Sequence, residues 1–511
     1  MTRRELIATG LGGLVAVSRK SGGMQSVSGR KKNMLILMAD QHKPDCLGIA
    51  GHPVAKTPNL DALARSGMRF SSAYCTNPVC TPSRASILTG LYTHHHGAFN
   101  NATPWPFQHK TIANYFGAAG YMSALIGKMH FVDAQTHGFD YRLDFNDWYQ
   151  YLGPKTKLYA DELSRANSGS GLPQIDDLWR DAGDPWKGVR DLDDREGPVA
   201  VGRVSKIPEP DHFESFVARE SVRFLKNHSK GQPFLLISSF LKPHDPFMPV
   251  QRFADMFRAE DMRLPHTWGK VNLDEIPVAV RRSIEHNTPT PELQAADAAR
   301  RRIAYYYANL AQMDDCAGVV LRALHDLGLE QDTVVAYVSD HGEMLGEHGL
   351  WQKFQFYESS CGIPLIVRAP GVAPANRRCT TPVSLVSLLP TLAELCDISL
   401  PSTLDGASLV AQVRQPETAS NSPVFSEYDL GNPRAKYMVR DANWKYTFWT
   451  HDMPELYDLQ SDPKEMRNLA LRPEYRSRVD ELKAKLFSWY QPPEINLPAN
   501  GSHAGKIFLR H

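Results

Sequence analysis

The 511-residue sequence is poor in several things, and each shortage removes a class of explanation. It has seven cysteines, at positions 46, 75, 80, 316, 361, 379 and 396. That number is too small and too scattered for a disulfide scaffold, and an odd count leaves at least one thiol unpaired. No Cys-x-x-Cys pair or Cys/His array of the structural-zinc kind occurs. Charge of one sign is not in excess, since 57 Lys+Arg face 56 Asp+Glu. Bulk electrostatics therefore give no reason to expect nucleic acid or a membrane surface as partner, and any preference for an anion must come from a local cluster. No apolar run is long enough to span a bilayer. No repeat of solenoid period is present, and Gly12-Gly13 and Gly22-Gly23 form no phosphate-binding loop.

What is present begins with Arg3-Arg4 ahead of a short Gly- and Leu-rich apolar stretch to Val17, followed by Ser18-Arg19-Lys20. The basic start and short apolar core fit an export signal, and the paired arginines resemble the twin-arginine type, which implies a periplasmic destination. No cysteine closes the stretch, so no stable membrane anchor is expected. Length alone allows about three domains, but the patterning reads as residues 1–32 for signal and linker, 33–420 for one large α/β domain, and 421–511 for a small C-terminal subdomain.

Within 33–420, three short apolar runs end in polar, titratable residues. Met34–Ala39 runs into Asp40-Gln41, Pro233–Phe240 into Lys242-Pro243-His244-Asp245, and Thr333–Ser339 into Asp340-His341-Gly342. Runs without alternation suit strands buried on both faces. Helical patterns lie between them: Leu60–Arg65, which Asn59 is placed to cap, the stretch 301–327 ending at Gly328, and 381–396. Strands alternating with helices predict a mostly parallel sheet covered on both sides, with ligands gathering beyond the carboxyl ends of its strands. Residues 150–212 read as an insertion over the site. After 420, Tyr437–Arg440 and Trp444–Trp449 read as short β-like runs, which precede Glu455–Leu459 and a terminal helix near 473–489, and together predict a small antiparallel subdomain.

The most specific segment is Cys80-Thr81-Pro82-Ser83-Arg84, continuing to Leu88-Thr89-Gly90. It resembles the signature of the sulfatase family, and the resemblance covers about residues 33–470 in motif order. The resemblance implies an alkaline-phosphatase-like α/β fold, hydrolysis of sulfate monoesters, and oxidation of Cys80 to formylglycine by a formylglycine-generating enzyme. It implies that one divalent metal is held by Asp40, Gln41, Asp340, His341 and the modified Cys80. Carboxylate and amide oxygens suit calcium, while the imidazole also admits manganese or iron. Arg84, Lys128 and Lys353 then hold the sulfate, His130 in Gly127-Lys128-Met129-His130 contacts the nucleophile, and His244 faces the leaving group. Asn101 is a candidate for a substrate oxygen.

Gln41 and His341 stand where many sulfatases have Asp and Asn; choline sulfatases and phosphonate monoester hydrolases share the pairs found here. A phosphonate monoester or phosphodiester hydrolase with the same site is therefore the alternative activity, and a silent binder of sulfated ligands a third. The segment Gly127–Leu143 looks closest to choline-sulfatase-like members. The substrate is read as a sulfated small molecule or glycan. His94-His95-His96 is read as solvated or as supporting the site from behind, not as a metal site, because three adjacent imidazoles do not converge easily on one ion. Trp351, two residues before Lys353, is read as packing under the site or in the core.

Overall fold

The structure is a computed structural model that describes residues 31–101, 108–130, 135–160, 163, 202–228, 231–287, 296–418, 422–431 and 434–493. Residues 1–30, with the expected export signal, and most of the 150–212 region expected over the site lie outside these. The described residues from Lys32 onward form one compact unit. Its main sheet has nine strands among the described residues: β1 (Asn33–Asp40), β2 (Met68–Tyr74), β3 (Met122–Gly127), β4 (Tyr141–Leu143), β5 (Phe234–Pro243), β6 (Thr333–Ser339), β7 (Gly362–Arg368), β8 (Arg377–Cys379) and β9 (Val383–Ser384). Their order is β4-β3-β5-β1-β6-β7-β2-β8, with β9 also on β2. Every pairing is parallel except those of β7 with β6 and β2.

The three apolar runs are the three adjacent central strands β5, β1 and β6, which explains their lack of alternation. Along β1, Leu35, Leu37 and Ala39 enter one apolar cluster, while Met34, Ile36 and Met38 enter another on the opposite face. Both faces are sealed, so every side chain from Met34 to Ala39 is apolar. The first face is covered by α1 (Pro58–Ser66), α3 (Phe213–Asn227) and the long α4 (Ala296–Asp326), and the second by α2 (Cys80–Thr89) and the segment that follows β9. The parallel register puts the carboxyl ends of β1, β5 and β6 at one edge, with Met38 opposite Ser239 and Val338.

Two local expectations need correction. Asn59 lies inside the first turn of α1 rather than capping it; its Nδ2 donates to Asp314 at 2.8 Å, and the flanking residue is Thr57. The 381–396 stretch is α-helical only over Leu388–Leu395, after a 3-10 turn at Leu385–Ser387, because Val383 and Ser384 pair with Ala73 and Tyr74. The helix α2 begins at Cys80 itself.

A second sheet, β10 (Val424–Tyr428), β11 (Lys436–Arg440), β12 (Trp444–Trp449) and β13 (Glu455–Asp458), is antiparallel throughout and packs against α5 (Arg476–Trp489). The strand β10 carried too little alternation to be read from the sequence. All seven cysteines are buried and free. Among the described residues, no helix is long and apolar enough to cross a membrane.

Candidate active site and metal centre

The edge formed by the ends of β1, β5 and β6 meets the first turn of α2, and this junction gathers the titratable residues. Cys80 is the first residue of α2, which is buried along its whole length and stops at Gly90, a left-handed cap with φ +70°. A cysteine there sits at the positive end of the helix dipole. Its Sγ lies 3.2 Å from His341 Nε2, 3.1 Å from Lys353 Nζ and 3.8 Å from Asp40 Oδ1. Burial and Asp40 work against ionisation, but Lys353, Lys128 and His341 outweigh them and pull the Cys80 thiol well below its usual pKa.

Asp40 and Asp340 face each other across the ends of β1 and β6, both fully buried. Arg84, one turn along α2, bridges them: Nη2 donates to Asp40 Oδ2 at 3.0 Å and Nε to Asp340 Oδ2 at 2.8 Å. Its Nη1 donates to the Lys128 carbonyl at 2.7 Å and to Ser239 Oγ at 2.9 Å, tying in β3 and β5. Lys128 Nζ pairs with Asp40 Oδ2 at 2.8 Å. Burial favours the neutral acid in both aspartates. For Asp40 the neighbouring Lys128, His244, Arg84 and Lys353 prevail and hold its pKa well below the usual range, whereas Asp340 is pushed up by burial and by Asp40.

One oxygen of each aspartate is left on the inner side. Asp40, Asp340, His341 and Cys80 each offer an atom, and these atoms all lie within 4.8 Å of one another. The His341 Nδ1–H donates to the Gly342 carbonyl at 3.0 Å, which leaves the Nε2 lone pair facing the cluster. Two carboxylates, an imidazole and a sulfur converging in a buried space fit a divalent cation, and such an ion would relieve the repulsion that raises Asp340. Gln41 adjoins them with a left-handed backbone, φ +66°. That conformation is held by its N–H on Asp340 Oδ1 at 3.1 Å and by Tyr306 OH on its carbonyl at 2.9 Å. The Gln41 amide nitrogen donates to Glu343, and its Oε1 accepts from Lys353 at 2.9 Å.

The remaining candidates surround this cluster. Lys353 Nζ also donates to His244 Nε2 at 2.9 Å, and His244 Nδ1 donates to the Asp245 carbonyl at 2.6 Å. Burial disfavours the Lys353 charge, but Cys80, Asp40, Asp245 and Asp340 hold its pKa above the ordinary lysine value. His130 bonds Thr81 Oγ1 through Nδ1 at 3.1 Å, and its buried Nε2 has no partner among the described residues. Burial and the Lys128 charge keep that imidazole neutral. Asn101 Oδ1 accepts the Thr81 N–H at 3.0 Å, so that oxygen supports the first turn of α2 instead of facing a ligand.

The His94–His96 run diverges onto Glu427, Asp405 and Ser86. Trp351 is buried. Sequence reasoning missed the residues that hold these groups in place: Thr81, Ser239 and Glu343. Glu343 stands three positions after Asp340 and was open to notice. The other two are ordinary polar residues that only the fold brings near.

With this geometry in hand, comparison with known proteins gives a consistent result. The sulfatase family profile matches residues 32–398, and the profile "N-sulphoglucosamine sulphohydrolase, C-terminal" matches residues 346–491. The chain is 32% identical over 466 residues to a choline-sulfatase of Rhizobium meliloti (strain 1021), covering 89% of this chain and 85% of the relative. It is 30% identical over 465 residues to an arylsulfatase of Clostridium perfringens (strain 13 / Type A), covering 89% and 94%. The fold is alkaline-phosphatase-like: the phosphonate monoester hydrolase of Agrobacterium radiobacter superposes with a TM-score of 0.73 at 24% identity, over 90% of this chain and 95% of that one.

Proposed function

This chain belongs to the sulfatase family and is a sulfuric ester hydrolase, and from that premise we propose that it cleaves sulfate monoesters at Cys80 in its formylglycine form, with one divalent metal. Asp40, Gln41, Asp340 and His341 would hold the ion, calcium first, with manganese or iron admitted by the imidazole. A metal held there would supply Lewis-acid chemistry toward the sulfate, and the hydrated aldehyde at position 80 would provide the oxygen nucleophile.

The chain's own residues do the rest. Lys128, Lys353 and Arg84 preorganise positive charge where the sulfuryl group gains negative charge, in a buried place that needs no reorganisation. Arg84 also fixes Asp40 and Asp340 at one separation. His244 has its Nδ1 tied to a backbone carbonyl, so Nε2 faces the leaving oxygen with Lys353 as the adjacent proton source. His130, anchored by Thr81 and kept neutral, is the base that takes a proton as sulfate is released.

The single observation that carries this reading is the convergence of two carboxylates and an imidazole on the sulfur of Cys80, with Lys353 within 3.1 Å of the same atom. Activity on an aryl sulfate and the matched aryl phosphonate ester tests it. Faster turnover of the sulfate is expected, and a preference of orders of magnitude for the phosphonate would replace the reading. Binding without cleavage, with a thiol still at position 80, would mark a silent binder of sulfated ligands. Chelation is expected to abolish turnover and calcium to restore it. Export to the periplasm is proposed on Arg3-Arg4 and the apolar stretch after them; cell fractionation tests it.

A further inference from the structure

Arg302 is a buried cation whose Nε and Nη2 find no acceptor among the described residues. It lies on α4, one turn before Tyr306 and two before Asn309, a spacing that puts all three on one helix face. Tyr306 holds the Gln41 carbonyl, and Asn309 Nδ2 reaches the His244 carbonyl at 3.5 Å. The same face therefore turns Arg302 toward the loops that deliver His244 and Lys353. Its guanidinium carbon is 3.9 Å from the centre of the Trp351 ring and 5.9 Å from that of Phe247. Trp351 is two residues before Lys353, and Phe247 is three after His244. The residue is 6% exposed, and its Nε and Nη2 make no hydrogen bond.

The two carboxylates whose charge reaches Arg302 are committed elsewhere. Asp245 Oδ1 lies 3.3 Å from His244 Nδ1 and 3.4 Å from Gln41 Nε2. Glu343 accepts the N–H groups of Leu345 and Gln352 at 2.8 and 2.7 Å, and the Gln41 amide. Burial drags the Arg302 pKa down to about 9, so its charge is held at a cost. Trp351 offsets part of that cost through its ring face. Apolar packing alone would be served by an uncharged side chain; the charge calls for an anion. Nε and Nη2 form one edge of the guanidinium, two parallel donors matched to two oxygens of a carboxylate or a sulfate.

We infer that Arg302 binds a second anionic group, a carboxylate or another sulfate, carried on the alcohol half of the ester, and so selects polyanionic saccharide sulfates over neutral or cationic sulfate esters. This inference rests on the sulfate-ester reading above. It makes Arg302 a specificity-determining residue on the leaving-group side, and it argues against a cationic alcohol such as a quaternary ammonium.

Calorimetric binding to the full chain carrying Cys80→Ala tests it with three sulfated monosaccharides: one with a single sulfate ester, one with an added sulfate, and one with an added carboxylate. At least tenfold tighter binding of one doubly charged sugar is expected. Arg302→Gln in the same background should erase that ratio, and Arg302→Lys should restore part of it. A ratio is insensitive to a fraction of unfolded protein, so a purely structural Arg302 would leave it unchanged. Equal affinity for all three, no binding of any, or a ratio that survives Arg302→Gln would overturn the inference. Turnover of a plain aryl sulfate by the Cys80 enzyme is measured alongside. If that is present while the ratio is absent, only the Arg302 role falls; if no sulfate ester is cleaved, the sulfate-ester reading falls with it.

Discussion

Gly127→Ala makes a demanding test of how the site is held, because it touches no reacting group. Gly127 ends β3 with φ +114°, a conformation that costs an alanine about 1–2 kcal/mol. A methyl group there overlaps the carbonyl oxygen of Ser239 and stands 2.8 Å from its carbon and 3.0 Å from Val217 Cγ2. The same carbonyl accepts the Lys128 N–H at 2.9 Å, and the Ser239 hydroxyl accepts from Arg84. Relief of the overlap must open the β3–β5 joint and carry Lys128 and His130 away from Asp40. Overpacking adds about 1–3 kcal/mol, for a total of about 2–5 kcal/mol. At about 2.1 cal/mol/K per residue, a chain of this length unfolds with an entropy of about 1 kcal/mol/K, so Tm should fall by about 2–5 °C. A displacement of about 1 Å at a positioning group costs about 10²-fold in rate. The assay pairs kcat on an aryl sulfate with thermal unfolding, and Gly117→Ala serves as control: nothing lies within 4 Å of a methyl group there, and its φ is ordinary. If Gly127→Ala kept more than half of kcat at an unchanged Tm, Lys128 would not depend on this joint and the reasoning would be wrong.

Further outcomes follow from the same geometry. Arg84→Lys keeps the charge but not the fork that spans Asp40, Asp340, Ser239 and the Lys128 carbonyl, so kcat should drop by about 10²-fold or more; a drop below tenfold would show that charge alone suffices. His244→Ala should cost about 10²–10⁴ in kcat for esters of aliphatic alcohols and far less for nitrophenyl esters, whose leaving oxygen needs no proton; an equal loss on both would remove the acid role. His96 is buried against Ser86, and burial pushes its pKa down from 6.5 to about 3. The folded state therefore keeps it neutral while the unfolded chain takes a proton below pH 6.5. Its stabilising effect is complete above that value and fades as pH falls, by about 2 kcal/mol at pH 5. Denaturant midpoints of the native chain and His96→Asn between pH 7 and 5 should converge as the pH falls, and parallel curves would refute this.

The parts legible in the sequence were those that local chemistry dictates. Three apolar runs without alternation announced strands sealed on both faces, and their shared titratable ends announced one site; β5, β1 and β6 are indeed neighbours. The stereochemistry of three adjacent imidazoles was enough to set the His94 run aside. The rest depended on long-range pairing. Val383 and Ser384 read as helix because their strand partners, Ala73 and Tyr74, lie more than 300 residues away. Asn59 read as a cap because nothing local reveals Asp314 on α4. Thr81 fills the variable position of the Cys80–Arg84 segment, Ser239 and Glu343 carry no motif, and Arg302 was one basic residue among several in an amphipathic stretch until the fold buried it against Trp351. Sequence thus displayed the titratable groups that cluster at the strand ends, while the side chains that fix their positions became visible only with the tertiary structure.

The central claim concerns the chemical state of residue 80 in enzyme that works. Mass analysis of the peptide containing Cys80, taken from a preparation cleaving an aryl sulfate at full rate, addresses it most directly. An aldehyde or its hydrate at that position, in a fraction that rises and falls with specific activity, is the predicted result. A free thiol in fully active protein would contradict the account.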